Sequence, residues 1–145
     1  MLKKKIARII SEISNGFLTM ILTPMVAIYA SPLETKEKVI LSSIYLLLPI
    51  IPYFAIKKYF GISDYEFTKR EERPPYFITI SILLGLAYIY VKTFDVDTLS
   101  SVSLAIFISS TVLTLVTFLW KMSGHMTYST LLFATLIFLF PSPYL

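Results

Sequence analysis

Five long runs of apolar residues, separated by short polar stretches, dominate the pattern of this sequence. The runs cover approximately residues 17–31, 39–56, 76–91, 99–120 and 126–140. About 20 mostly apolar residues are needed for a helix to cross the hydrocarbon layer, and a helix is favoured there because it pairs its own backbone polar groups. The pattern therefore predicts an all-α fold, a polytopic transmembrane helix bundle with about five spans in one domain, residues 1–145.

The composition supports a membrane location and removes several kinds of chemistry. Of the 145 residues, 56% are hydrophobic, which is typical of an integral membrane protein rather than a soluble domain. The chain has no cysteine and a single histidine, so a disulfide framework, a thiolate nucleophile and a metal cluster built from histidines are excluded. We predict no metal, no cofactor and no nucleic-acid partner.

Lysine and arginine are distributed unevenly between the two sides that five spans would create. One side would hold ten of them, and the other side only Lys36, Lys38 and Lys92. Because positive residues are retained in the cytoplasm, we expect a cytoplasmic-membrane protein whose N-terminus and whose loop 57–75 are cytoplasmic. The basic segment 1–14 either lies along an anionic membrane surface or simply stops the first span.

The loop 57–75 carries more charge than a connection between two spans requires. Lys69, Arg70 and Arg73 offer hydrogen-bond donors within about one helical turn, and Pro74 and Pro75 follow them. Arginine presents planar, bidentate donors and keeps its charge, as phosphate binding requires. The alternative is an ordinary solvated loop whose cations anchor the neighbouring spans at the headgroups.

The tripeptide Ser123-Gly124-His125 precedes the fifth run and falls on the same predicted face as that loop. A serine at a helix start directs its hydroxyl and the first backbone N–H groups toward a bound anion, and a glycine lets the backbone approach closely. A histidine can donate a proton near neutral pH. Lys69, Arg70, Arg73, Ser123 and Gly124 are thus candidate substrate-binding residues, and His125 is the candidate catalytic residue.

These residues resemble two signature motifs of the type 2 phosphatidic acid phosphatase superfamily, the integral membrane lipid phosphate phosphatases. The first motif is a lysine, six residues and Arg-Pro, and the second is Pro-Ser-Gly-His. Arg73-Pro74 in "KREERPPYF" is similar to the end of the first, and Ser123-Gly124-His125 is similar to the second. Their order and separation also resemble the family pattern.

The sequence departs from the family at three places. Glu66 stands where the first motif has its lysine, and Met122 replaces the proline of the second motif. The third motif, which in the family supplies the nucleophilic histidine, its aspartate and a further arginine, is not found in the twenty residues after His125. The resemblance therefore implies a protein truncated before the third motif, in which the isolated chain binds phosphate but hydrolyses it negligibly.

Three functional hypotheses follow. The first is a lipid phosphatase-like membrane protein that binds the phosphate of phosphatidic acid or of an isoprenyl phosphate. The second is a non-catalytic protein that binds lipid headgroups, forms a homo-oligomer or packs with a partner chain supplying the missing helix. The third is a small transporter or assembly factor whose cations only anchor it.

Hydroxyl side chains are frequent within the fourth run. They are Ser109, Ser110, Thr111, Thr114 and Thr117. Hydroxyls inside a span usually bond to the preceding helical turn or to a neighbouring helix, and we expect the same here.

Overall fold

The computed structural model describes residues 16–60, 73–119 and 124–141, and these ranges form α-helices joined by short turns. The five α-helices are α1 (Gly16–Ala30), α2 (Thr35–Phe60), α3 (Arg73–Val91), α4 (Asp97–Leu119) and α5 (Gly124–Leu139), and a short 3-10 helix, Lys92–Phe94, follows α3. No strand occurs within the described ranges. The predicted all-α helical bundle is confirmed.

The helices run alternately up and down, so that the bundle has two distinct ends. We call the end where α1, α3 and α5 begin and where α2 and α4 finish the basic end. At the opposite end the connections are short: Lys38 of α2 donates from Nζ to the carbonyl of Tyr29 in α1, 3.2 Å away, and Asp95 closes the turn between α3 and α4 with a φ of 54°. Consecutive helices are therefore mostly antiparallel neighbours, whereas α1 and α5 pack side by side in parallel.

Three of the helices are long and apolar enough to cross a membrane. They cover Thr35–Tyr59, Arg73–Phe94 and Asp97–Leu119, whereas α1 and α5, with 15 and 16 residues, are shorter apolar helices. Large apolar side chains point outward from the bundle, among them Ile51, Leu115 and Phe133. An apolar exterior of this extent is suited to lipid rather than to water. The structure thus supports a membrane protein with three to five spans.

The bounds of two helices differ from those predicted by hydropathy. α2 begins at Thr35 and continues to Phe60. Its last turn can include Lys57 and Lys58 because their long side chains can extend along the helix and keep the charge at the headgroups. α3 begins at Arg73 and holds Pro74 and Pro75 in its first turn, where the missing N–H of proline costs no hydrogen bond. The predicted loop 57–75 is therefore shorter at both ends, and residues 61–72 of it lie outside the described ranges.

The interior combines aliphatic side chains with small and hydroxyl-bearing ones. Ile28, Leu41, Ile80, Leu99, Ile106 and Leu113 are fully buried. Prolines within α1 and α2 are tolerated because hydroxyls and neighbouring helices can satisfy the carbonyls that they release. Tyr76 of α3 donates to the carbonyl of Pro49 in α2 at 3.4 Å, which joins these two helices next to a proline.

Candidate functional site

Arg73 is the first residue of α3 and is buried, with 8% of its surface exposed. The two prolines that follow it fix the backbone of this first turn, and Thr79 donates to the carbonyl of Pro75 at 2.8 Å. Arg73 therefore projects from a rigid helix start rather than from a long loop. Because a guanidinium has five N–H donors, such an arginine can bond to the protein and to an anion simultaneously.

Gly124 and His125 are the first residues of α5, and they touch the start of α1. A Cβ placed on Gly16 would lie 2.8 Å from the backbone nitrogen of His125 and 2.9 Å from the carbonyl carbon of Gly124. Only a glycine permits this approach, because both neighbours are backbone atoms. The pattern of the sequence did not indicate Gly16, and its closeness to α5 depends entirely on how distant helices pack.

The helix starts that carry Arg73 and His125 lie at the same end of the bundle. Phe77 is one helical turn after Arg73, and its ring reaches within 3.8 Å of the position that a Cβ on Gly124 would take. Leu113 of α4 completes this contact at 3.9 Å. The two motif-bearing helices thus approach each other through the ring of Phe77, while a meeting of Arg73 and His125 stays a prediction.

Other predicted site residues cannot be placed in the same way. Lys69, Arg70 and Ser123 lie outside the described ranges. α5 begins at the residue directly after Ser123, so the expected position of this serine at a helix start stays a prediction.

The described charges differ between the two ends. At the basic end they are Lys57, Lys58 and Arg73, while Asp64, Glu66, Glu71 and Glu72 of the sequence fall outside the described ranges. At the opposite end they include three lysines together with all four of the described carboxylates, namely Glu34, Glu37, Asp95 and Asp97. The helix dipoles partly offset one another at the basic end, because α1, α3 and α5 begin there and α2 and α4 finish there, so attraction of an anion depends on the individual helix starts of α3 and α5.

A cluster of hydroxyl groups lies in the bundle beneath the basic end. Ser81 of α3 is 2.8 Å from the hydroxyl of Thr114 and 3.2 Å from that of Ser110, both in α4. Tyr128, one turn into α5, donates to Ser110 at 3.2 Å, and Thr114 also approaches the carbonyl of Phe77 at 3.1 Å. The cluster ties α3, α4 and α5 together below the candidate site. The predicted bonding is confirmed for Ser110 and Thr114, and Thr111 and Thr117 donate to carbonyls one helical turn earlier at 2.9 and 2.6 Å.

The described part of the chain contains no candidate metal-binding cluster. No group of three or more His, Cys, Asp or Glu side chains converges there. Asp95 occupies the turn before α4, and Asp97 is the first residue of that helix, so both carboxylates have structural explanations.

Comparison of the chain with known protein families, with curated proteins and with solved structures finds no match. The resemblance to the phosphatidic acid phosphatases therefore depends on the quoted motifs alone.

Proposed function

We propose that this protein binds the phosphate group of a membrane lipid, such as phosphatidic acid or an isoprenyl phosphate, at the basic end of the bundle. The observation that carries the proposal is the buried Arg73 at the start of α3, at the same end of the bundle as the start of α5. Arg73 interacts within the chain, and the five N–H donors of a guanidinium leave capacity for an anion as well. A lipid phosphate supplies charge and acceptor oxygens together.

Each candidate residue has a defined part in this proposal. Arg73 provides charge-assisted hydrogen bonds, and Lys69 and Arg70 add positive charge from the preceding segment. Gly124 and Ser123 present backbone N–H groups and a hydroxyl at the start of α5. His125 donates a hydrogen bond to a phosphate oxygen and is the proton donor if a leaving group is ever expelled.

The proposal concerns binding, and we expect negligible hydrolysis by this chain alone. Transfer through a covalent intermediate requires a nucleophile and a separate proton donor, and His125 is the sole histidine of the sequence. Ser123 would need a general base to attack phosphorus. His125 is poorly placed for that, because residues two apart at a helix start point to different faces. A partner chain or a second copy that supplies the missing groups belongs to the same proposal.

The membrane orientation is also part of the proposal. The excess of lysine and arginine at the basic end favours a cytoplasmic location for that end, for the N-terminus and for the loop 57–75. The lipid would then be drawn from the cytoplasmic leaflet of the cell membrane.

Calorimetric titration of the full chain, purified in detergent, with dihexanoyl phosphatidic acid tests the binding site without a long acyl chain. We expect Arg73→Gln to weaken binding about 10- to 100-fold, since a charge-assisted hydrogen bond contributes about 1.5–3 kcal/mol. Lys92→Gln, in the 3-10 helix that directly follows the other end of α3, is the matched control and should leave the affinity unchanged. Arg73→Lys should be intermediate because it keeps the charge and loses the bidentate geometry.

Equal affinities for Arg73→Gln and Lys92→Gln would contradict the proposal. Circular dichroism of each variant separates loss of binding from loss of folding. The affinity of the unaltered chain should also fall as salt is raised from low to physiological concentration, because part of the site is exposed to ions.

A further inference from the structure

An apolar groove of about 470 Å³ lies on the outer surface between α2 and α3. Its lining on α2 includes Ile44, Leu47 and Ile51, and its lining on α3 includes Leu86 and Tyr90. Each set follows the spacing of one helical face. Because both helices are long enough to cross the membrane, the groove opens toward the hydrocarbon layer and its contents must be apolar.

The face of α2 that forms the groove carries opposite charges at its two ends. Seven residues, almost two helical turns or about 10 Å, separate Ile51 from Lys58 toward the basic end. The same spacing separates Ile44 from Glu37 toward the opposite end. An occupant that carries an anionic headgroup is therefore attracted toward Lys58 and repelled from Glu37.

We infer that the groove holds one acyl chain of an anionic phospholipid, with the phosphate of that lipid directed to the basic end. This inference rests on the proposed function and adds a binding surface for the chain of the lipid. Lys58 is exposed in the last turn of α2, with Nζ 5.9 Å from the ring centre of Tyr59, and its long stem can reach the headgroup level. Glu37 is engaged elsewhere, since its carboxylate accepts a hydrogen bond from the backbone of Glu34 at 3.0 Å.

Two tryptophan substitutions on the same helix provide a matched test. Leu86 lines the groove and is 58% exposed, whereas Ile89 is 65% exposed and does not line it. Leu86→Trp places an indole over the groove, and Ile89→Trp adds the same group elsewhere on the lipid-facing surface. Both positions face outward, so we expect both variants to fold.

Native mass spectrometry of the full chain would measure the binding of dioleoyl and dihexanoyl phosphatidic acid. We expect Leu86→Trp to weaken dioleoyl phosphatidic acid binding about fivefold and to leave dihexanoyl phosphatidic acid binding unchanged, whereas Ile89→Trp should alter neither. Lys58→Glu should weaken the binding of both lipids. Dioleoylglycerol, which lacks the phosphate, should bind more weakly than dioleoyl phosphatidic acid.

The outcomes separate the groove from the phosphate site. Equal binding of dioleoyl phosphatidic acid by the two tryptophan variants would overturn the inference about the groove, and a dimer that Leu86→Trp dissociates would do so by identifying a second copy as the occupant. Failure of dihexanoyl phosphatidic acid to bind any variant, with Leu86→Trp still selectively weakening the long-chain lipid, would refute the proposed phosphate site and leave the groove supported.

Discussion

Replacing Gly16 with alanine should loosen the contact between α1 and α5. The added methyl group would lie 2.8 Å from the nitrogen of His125, 2.9 Å from the carbon of Gly124 and 3.0 Å from its oxygen. Carbon atoms in good contact are about 3.5–4.0 Å apart, so the two helices must separate by roughly 0.5–1 Å. The neighbouring atoms belong to the backbone of α5, and no rotation of a side chain can relieve the overlap.

The free energies involved allow a definite expectation. Overpacking of this kind costs about 1–3 kcal/mol, whereas alanine gains at most about 1 kcal/mol over glycine through its higher helix propensity. We therefore expect Gly16→Ala to lower the free energy of unfolding by about 1–2 kcal/mol. The assay is unfolding in mixed micelles with a rising fraction of sodium dodecyl sulfate, followed by far-ultraviolet circular dichroism.

Two other glycines provide controls with the same chemical change. A Cβ on Gly85 would meet the ring of Phe107 at 3.1 Å, and this side chain can shift, so Gly85→Ala should be nearly neutral. A Cβ on Gly124 would have no neighbour nearer than 3.8 Å, and Gly124→Ala should be neutral or slightly stabilising. If Gly16→Ala proves as stable as Gly124→Ala, the close packing of α1 against α5 is refuted.

Two further predictions concern the hydroxyl cluster and the orientation. Tyr128→Phe and Ser110→Ala should each lower the free energy of unfolding by about 0.5–1.5 kcal/mol. The double variant should lose less than the sum of the two, because one hydrogen bond joins the two side chains. Strict additivity in the same micelle assay would contradict this. Because the chain has no cysteine, Ser63→Cys should resist labelling by an impermeant maleimide from outside intact cells, whereas Lys36→Cys should react, and the reverse result would invert the proposed topology.

The helical bundle could be predicted from the sequence because hydropathy directly reports the membrane environment. The helix ends could not be predicted in the same way. The first turn of α2 lies before the predicted run, since hydropathy falls at Glu37 and Lys38 while the helical hydrogen bonds continue. Pro74 and Pro75 precede the predicted third run, which begins at residue 76, yet they belong to α3 because proline is compatible with the first turn of a helix.

The sequence could predict at which end of the bundle the candidate site residues lie, because the order of the spans determines it, but not the distances between them. Alternation of the spans places Arg73 and His125 at one end of the bundle, and the contact between Phe77 and Gly124 agrees with that expectation. The role of Gly16 could not be predicted, because it depends on the relative height of two helices that are distant in sequence. Distances from Lys69, Arg70 and Ser123 to a bound phosphate stay predictions.

The burial of Arg73 argues against a purely anchoring role and is compatible with a phosphate-binding role or a structural one, since Arg73 also interacts within the chain. Lys57 and Lys58 are exposed at the end of α2, where attraction to anionic headgroups needs no burial. An anchoring cation gains nothing from burial, because removal from water weakens its hydration without bringing it closer to the headgroups. Arg73 is nevertheless almost fully buried within the protein, at the end of the bundle where the helix carrying His125 begins. A purely structural role for Arg73 would make Arg73→Gln unstable without a selective effect on phosphate, whereas a binding role predicts a folded variant with weakened affinity.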